Sequence, residues 1–192
     1  KIKGDIKMRT VNCEQLSDEW FELRKGVLTA SNFDKILTPT GKASSANIGH
    51  MRKLARECVI DDPFEFSGNK YTAWGQKYED DARRAYEEIK GVKVEQVGFV
   101  FSSFSDFVGC SPDGIGLEIK APSVDVHVKY IMEGVLPKEY RLQVEGSMVV
   151  CELEEYDFIS YYPGLQPFIL TIKRSDFTEK VEAGLKDFAV EF

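Results

Sequence analysis

Apolar residues recur at three-and-four spacing through the first third of the chain, alternate near its middle and return to helical spacing at its end. Each period predicts an element. Ser17-Asp18-Glu19 offers a capping hydroxyl and first-turn acids to a helix through Trp20, Leu23 and Arg24 that breaks at Gly26. Ser31 is placed to cap a second helix with Phe33, Ile36 and Leu37. Ile48, Met51, Leu54, Ala55 and Cys58 mark a third. A fourth runs from about Tyr71 to Ile89 and closes at Gly91, a residue suited to the left-handed conformation of a helix end.

Alternation then takes over: Val97, Phe99 and Phe101, then Phe107 and Val108, then Leu117, Ile119 and Ala121 predict a three-stranded meander. Two helices follow, one with Val124, Val128, Ile131 and Met132, the next with Tyr140, Val144, Met148 and Cys151. Strands at 156–162 and 168–172 precede a closing helix with Phe177, Val181, Leu185 and Phe188. Helices around a central mixed β-sheet give an α/β (α+β) sandwich. No repeat or Pro/Gly linker divides residues 1–192, which suit a single domain with one core. Lys1 opens the chain, and Met8 reads as a natural start behind a short leader, residues 1–7.

Composition excludes some classes and leaves others open. No window approaches the roughly 18 to 20 consecutive apolar residues of a membrane helix, and no apolar signal region stands at the N-terminus, so a soluble, cytoplasmic protein is expected. Cys13, Cys58, Cys110 and Cys151 lack zinc-knuckle or disulfide-framework spacing and read as reduced structural thiols. The net charge of -7 argues against strong general affinity for nucleic acid, but it is unevenly spread. Residues 1–60 hold 11 Lys and Arg against 7 Asp and Glu; residues 61–192 hold 14 against 25. The first third is mildly basic. The acidic remainder is either a solvated surface or a holder of divalent cations.

The densest chemistry is Gly109-Cys110-Ser111-Pro112-Asp113-Gly114 followed by Leu117-Glu118-Ile119-Lys120. Asp-Gly favours a turn, so Asp113 falls at a strand end. On the next strand Glu118 and Lys120 share a face, while Leu117, Ile119 and Ala121 take the other. Two hard carboxylates with open coordination positions suit Mg2+ or Mn2+. A neighbouring ammonium can orient an attacking water or stabilise charge on phosphate. The competing reading is an ordinary hairpin with a solvated Glu-x-Lys face.

The segment from Ser111 to Pro122 resembles the PD-(D/E)xK nuclease motif in the form used by lambda exonuclease and the YqaJ-type phage recombination nucleases. Further matches follow in the family's order: Trp20-Phe21-x-Leu23-Arg24-x-Gly26 with Leu28-Thr29-Ala30-Ser31, then Gly75, Glu79 and Ala82-Arg83, then Gln143. The resemblance implies a restriction-endonuclease-like core. It makes Asp113, Glu118 and the Ile119 carbonyl ligands of Mg2+ or Mn2+, two ions per site, with Lys120 as catalytic lysine and Glu79 as an added carboxylate. Helical geometry alone does not separate Glu79 from Asp81. Arg24, Ser31, Ser111 and Gln143 resemble the residues that hold a terminal 5'-phosphate, and an Arg beside a helix start suits an anion.

The activity so implied is 5'-to-3' degradation of one strand of double-stranded DNA to mononucleotides. It leaves a 3' overhang for recombination with a single-strand annealing protein, in a phage or prophage setting inside a bacterial host. The implied assembly is a homotrimeric ring threaded by duplex, whose confinement compensates for the sparse basic residues. Lys42 and the polar loop at 38–45 are placed to reach DNA. Trp74 and Tyr71 read as core aromatics or as a wedge at the duplex end. His50 and His127 read as surface or packing residues. Two alternatives stay open: another PD-(D/E)xK nuclease of helicase-linked or iron-sulfur type, and a non-catalytic module that binds DNA ends.

Overall fold

The computed structural model describes residues 8–60 and 70–192, the side chains of residues 70–72 excepted. The leader 1–7 and the Tyr71 side chain therefore lie outside the described residues. In chain order come β1 (Arg9–Val11), α1 (Asp18–Arg24), β2 (Leu28–Thr29), a 3-10 turn (Ala30–Asn32), α2 (Phe33–Ile36), α3 (Asn47–Val59) and α4 (Lys70–Lys90). The second half follows with β3 (Phe99–Phe101), β4 (Val108–Cys110), β5 (Leu117–Lys120), α5 (Val124–Glu133), α6 (Lys138–Val150), β6 (Glu155–Ser160), β7 (Phe168–Lys173) and α7 (Asp176–Glu191).

Local signals set several boundaries. The Ser17 hydroxyl accepts from the Trp20 N–H at the start of α1, and α7 opens with a capping box between Ser175 and Thr178. Gly91 ends α4 with φ +68°. Ser31 does not cap α2: it lies inside the 3-10 turn, and Asn32 stands at the helix start without a side-chain cap. Its hydroxyl turns to Thr29 instead, 3.3 Å away.

The strands form two mixed ladders, ordered β1-β3-β4-β2 and β5-β6-β7. The expected meander stops after two strands. The antiparallel pair β3–β4 is present, but β5 pairs parallel with β6, Glu118 opposite Phe158 and Lys120 opposite Ser160. The chain between them is redirected at Gly114, bridged to Leu117, and at Gly116, whose φ is +79°. At Gly109 on β4 a Cβ would stand 2.4 Å from the Phe99 ring and 2.7 Å from the Val100 carbonyl oxygen. Only a residue without a side chain lets β3 and β4 close there.

Helix α6 joins the two halves. It packs on α2, the 3-10 turn, α7 and β4 on one side and on β6 on the other. Leu142 and every residue from Val144 to Val150 are buried. Such all-round burial belongs to a helix inside a core. The Glu145 carboxylate is carried inward by Arg141 and the Thr178 hydroxyl, and Gly146 faces the Phe33 ring.

Two helices bury different faces from those expected, and a third departs only at its end. In α5, Val124, Val128, Ile131 and Met132 are exposed, while His127 and Tyr130 are buried. The inward polar atoms are matched: His127 meets the Ser160 hydroxyl at 2.8 Å and the Gln166 carbonyl at 3.1 Å, and Tyr130 donates to Glu139 at 2.8 Å. In α3, only Leu54 is buried, and Cys58 is exposed rather than packed. In α4, Ile89 is exposed and Arg83 is buried.

Candidate active site

Strand β5 divides its side chains as alternation requires. Leu117 and Ile119 pack with Ala82 and Tyr86 of α4 and with Ile159. Glu118, 2% exposed, faces α6, where the Gln143 amide donates to its Oε1 at 2.6 Å. The Lys120 ammonium pairs with the same oxygen and lies 5.0 Å from the centre of the Tyr140 ring. Asp113, at the turn after β4, accepts from the Ile119 N–H through Oδ2 at 2.6 Å. Each acid thus keeps one oxygen without a hydrogen bond among the described residues. The Ile119 carbonyl is also free to take part. β5 is an edge strand, and β6 bonds to the carbonyls of Gly116 and Lys120, so by alternation Ile119 directs its oxygen off that edge.

Burial, then the charge of Glu118, push the Asp113 carboxyl up to about 7, against the pull of Lys120 and the Ile119 N–H. Burial works against the Lys120 ammonium, but Glu118 and Asp113 outweigh it and hold its pKa above the usual lysine range. Glu79 of α4 is likewise raised, by burial and then by Asp113, with Arg83 opposing. Asp81, the other candidate on this helix, pairs with the exposed Arg84.

Glu79 and Asp113 stand where two clefts meet. One, of about 570 Å³, runs past Lys120 to Ser123, Tyr130 and Tyr140. The other, of about 620 Å³, lies between Gln76 and Gln96 and the segment from Asn12 to Leu16. Gln15 fixes that segment by donating to the Val97 and Pro112 carbonyls at 3.1 and 3.0 Å. Among the described residues no three His, Cys, Asp or Glu side chains form a ready-made metal cluster. The donors nonetheless fit a hard divalent cation. Two mutually repelling carboxylates each offer an oxygen, and a backbone carbonyl and Glu79 stand nearby.

A second cluster gathers at Arg24. Its guanidinium donates to the Ser111 hydroxyl at 3.1 Å and to Thr29 Oγ1 at 3.3 Å, and lies 4.1 Å from the Trp20 ring centre. Thr29 Oγ1 in turn contacts Ser31 and accepts from Asn32 at 3.2 Å. The Trp20 indole N–H donates to the Ser111 hydroxyl at 2.9 Å. Burial lowers the Arg24 pKa to about 10, with Cys110 and Glu57 pulling it back up. Among the described residues no carboxylate forms an ion pair with this guanidinium.

The structure therefore brings Asp113, Glu118, Lys120 and Glu79 to one place and Arg24, Ser111 and Ser31 to another. Gln143 is found with Glu118 rather than hydrogen-bonded to the Arg24 cluster. His127 is a buried packing residue whose pKa is lowered by burial. Trp74 stacks on Tyr162, with ring centres 5.8 Å apart. The buried thiols of Cys110 and Cys151 face each other at 3.6 Å. Sequence reading gave no role to Thr29, Asn32, Gln96 or Arg83. Thr29 and Arg83 were visible as members of the quoted motifs, and Arg83 also by its four-residue spacing from Glu79.

Residues 19–154 match the YqaJ-like viral recombinase domain. Two structures of an alkaline exonuclease, LHK-Exo from Laribacter hongkongensis, are similar to this chain. The one in complex with dAMP is 28% identical and the other 27%. Both have a TM-score of 0.74, covering 91% of this chain and 94% of theirs. A phage related exonuclease from Haemophilus somnus, 15% identical with a TM-score of 0.56 over 86% of this chain and 94% of its own, shares the fold. An uncharacterised protein of Acanthamoeba polyphaga mimivirus is 28% identical over 173 residues, 81% of this chain, which spans 30% of that relative's length.

Proposed function

Given that the chain belongs to the YqaJ-like viral recombinase family, we propose that it is a nuclease of the lambda-exonuclease kind, degrading one strand of double-stranded DNA from its 5' end. The observation that carries this reading is the adjacency of a buried cation cluster and an acid cluster. Only Pro112 separates Ser111, which completes the Arg24 cluster, from Asp113, which opens the acid cluster. A terminal 5'-phosphate seated on Arg24, Ser111 and Ser31 would set the next phosphodiester beside Asp113, Glu118 and Lys120. Cutting there releases a mononucleotide and presents a new terminal phosphate.

Asp113, Glu118, the Ile119 carbonyl and Glu79 would hold Mg2+ or Mn2+, two ions in the full site. Bound there, divalent ions supply positive charge to the scissile phosphate and make water a better nucleophile at neutral pH. Glu118 is oriented by the Gln143 amide, which thereby serves the acids as well as any phosphate contact. Lys120, whose ammonium has no lone pair to offer a metal, orients the attacking water and stabilises charge as it grows on the phosphate oxygens.

Confinement in a homotrimeric ring would offset the net charge of -7. The 3' overhang left behind would pass to a single-strand annealing protein. No helix among the described residues is long and apolar enough to cross a membrane, which accords with action on DNA in the host cytoplasm. Linear duplex labelled at the 5' or the 3' end, incubated with Mg2+ or with EDTA, tests the proposal. Early mononucleotide release from the 5' label, with Mg2+ alone, is expected. Early release from the 3' label would reverse the polarity, internal cuts would point to a different nuclease of the superfamily, and binding without cleavage would leave an end-binding module.

A further inference from the structure

Arg83 is 7% exposed, on the face of α4 that carries Glu79. A buried guanidinium needs acceptors for its fork of N–H groups. One nitrogen meets the Glu79 carboxylate, and the other donates to Asp80 at 2.6 Å. Gln96, with its amide oxygen turned to the guanidinium, accepts from both at 3.1 and 3.0 Å. Among the described residues the buried Nε has no partner. A solvated four-residue ion pair on a helix contributes only a few tenths of a kcal/mol, roughly, and requires none of this burial. Here the arginine is drawn beneath a carboxylate that borders both clefts, at the cost of an orphaned donor. It is tied from outside its own helix by a residue that lines the same cleft as Glu79.

We propose that the buried Arg83 and the exposed Gln96 at the cleft wall form a latch that fixes the Glu79 carboxylate beside Asp113 as a donor to the divalent cation. Arg83 is then a positioning residue acting through Glu79. The latch rests on the reading of Glu79 as a cation donor. It depends on the planar fork, because two nitrogens must span Glu79, Asp80 and Gln96 together, and the point charge of a lysine cannot.

The test is Mn2+ titration of the full chain without DNA, followed by electron paramagnetic resonance, with thermal unfolding in EDTA alongside. Glu79→Gln and Arg83→Ala should each raise the half-saturating Mn2+ concentration by about 10- to 100-fold, the usual scale for a group that orients a metal ligand. Arg83→Lys should resemble Arg83→Ala. The double variant should be no worse than Glu79→Gln, because one residue acts through the other. An arginine that merely supports the fold would lower the unfolding temperature and add its loss in the Glu79→Gln background, overturning the latch. Tighter Mn2+ binding by Arg83→Ala would make Arg83 a plain counter-charge and also overturn it. Should Arg83→Ala fail to fold, Gln96→Leu keeps the ion pair and removes the second anchor, and weaker Mn2+ binding is again expected. If Glu79→Gln binds Mn2+ like wild type, the donor reading falls and takes the latch with it. If Glu79→Gln weakens binding while Arg83→Ala and Gln96→Leu do not, only the latch falls.

Discussion

The Arg24 cluster and the acid cluster are neighbours on one strand end and opposites in charge. Arg24 is a buried cation whose hydrogen bonds among the described residues go to hydroxyls, and burial lowers its pKa against the opposing pull of Cys110 and Glu57. Asp113 is an acid set beside a second acid, with its proton affinity raised by burial and by Glu118. Burial penalises charge in both regions, for the Arg24 cation among hydroxyls and for Asp113 beside Glu118 even with Lys120 opposing, and groups perturbed in this way concentrate at functional sites. The comparison also separates two kinds of binding. Fixed hydroxyls and a planar guanidinium can read a phosphate by shape, whereas acids with free oxygens hold a cation by charge.

The widest gap should come from the acids. Asp113→Ala and Glu118→Ala are expected to abolish cleavage and weaken Mg2+ binding, since each removes a donor from a site with few. Near-normal cleavage in either would end the assignment. Next, Lys120→Ala should slow the chemical step by about 100- to 10,000-fold, roughly 2.7 to 5.5 kcal/mol. Calorimetric Mg2+ titration and end binding in Ca2+ should stay near wild type. Binding and single-turnover cleavage that fell together would make Lys120 an affinity or folding residue.

Arg24→Ala should act on the other side of the comparison. Preference for a 5'-phosphorylated over a 5'-hydroxyl end should shrink by about 10- to 100-fold, the worth of a charge-assisted contact, with little change in Mg2+ affinity. Equal slowing on both ends would make Arg24 a general backbone contact.

The smallest effect concerns stability in EDTA. The Asp113 carboxyl is raised from 3.8 to about 7, so across that window the folded chain holds a proton that the unfolded chain releases. This contribution is complete below about pH 4, declines as pH rises toward 7 and is flat above it. Asp113→Asn should remove the decline and raise the melting temperature at pH 7.5 by a few degrees, each kcal/mol being worth about 2–4 °C in a domain of this size. A melting difference independent of pH would show that Asp113 is not the group responsible.

Much of this was legible before any coordinates. Alternation placed Glu118 and Lys120 on one face because a strand's period of two leaves no other choice, and three-and-four spacing identified the buried stripe of α7, where Phe177, Val181, Leu185 and Phe188 are all inside. The failures share a cause. β1 and β2, of three and two residues, are too short to display a period. In α5, hydrophobicity ranked Val128 and Met132 above His127 and Tyr130, because polar partners contributed by Ser160, Gln166 and Glu139 cannot be seen from within the helix. The burial of Arg83 was hidden in the same way, since its acceptor Gln96 comes from another segment. The pairing of β5 with β6 joins residues about forty apart, a choice that local turn chemistry at Asp113-Gly114 does not encode.

The burial of α6 has a consequence for how the protein breathes. Its middle turns are walled in by both ladders and by α7, so their amides are expected to exchange by large-scale opening more than by local fraying. Tyr140 and Gln143, which face the acid cluster, are carried on the N-terminal turns of that same rod. If the proposed activity holds, motion at the clefts is expected to fall on the segments around α6, leaving Glu118 referenced through Gln143 to a helix held inside the core.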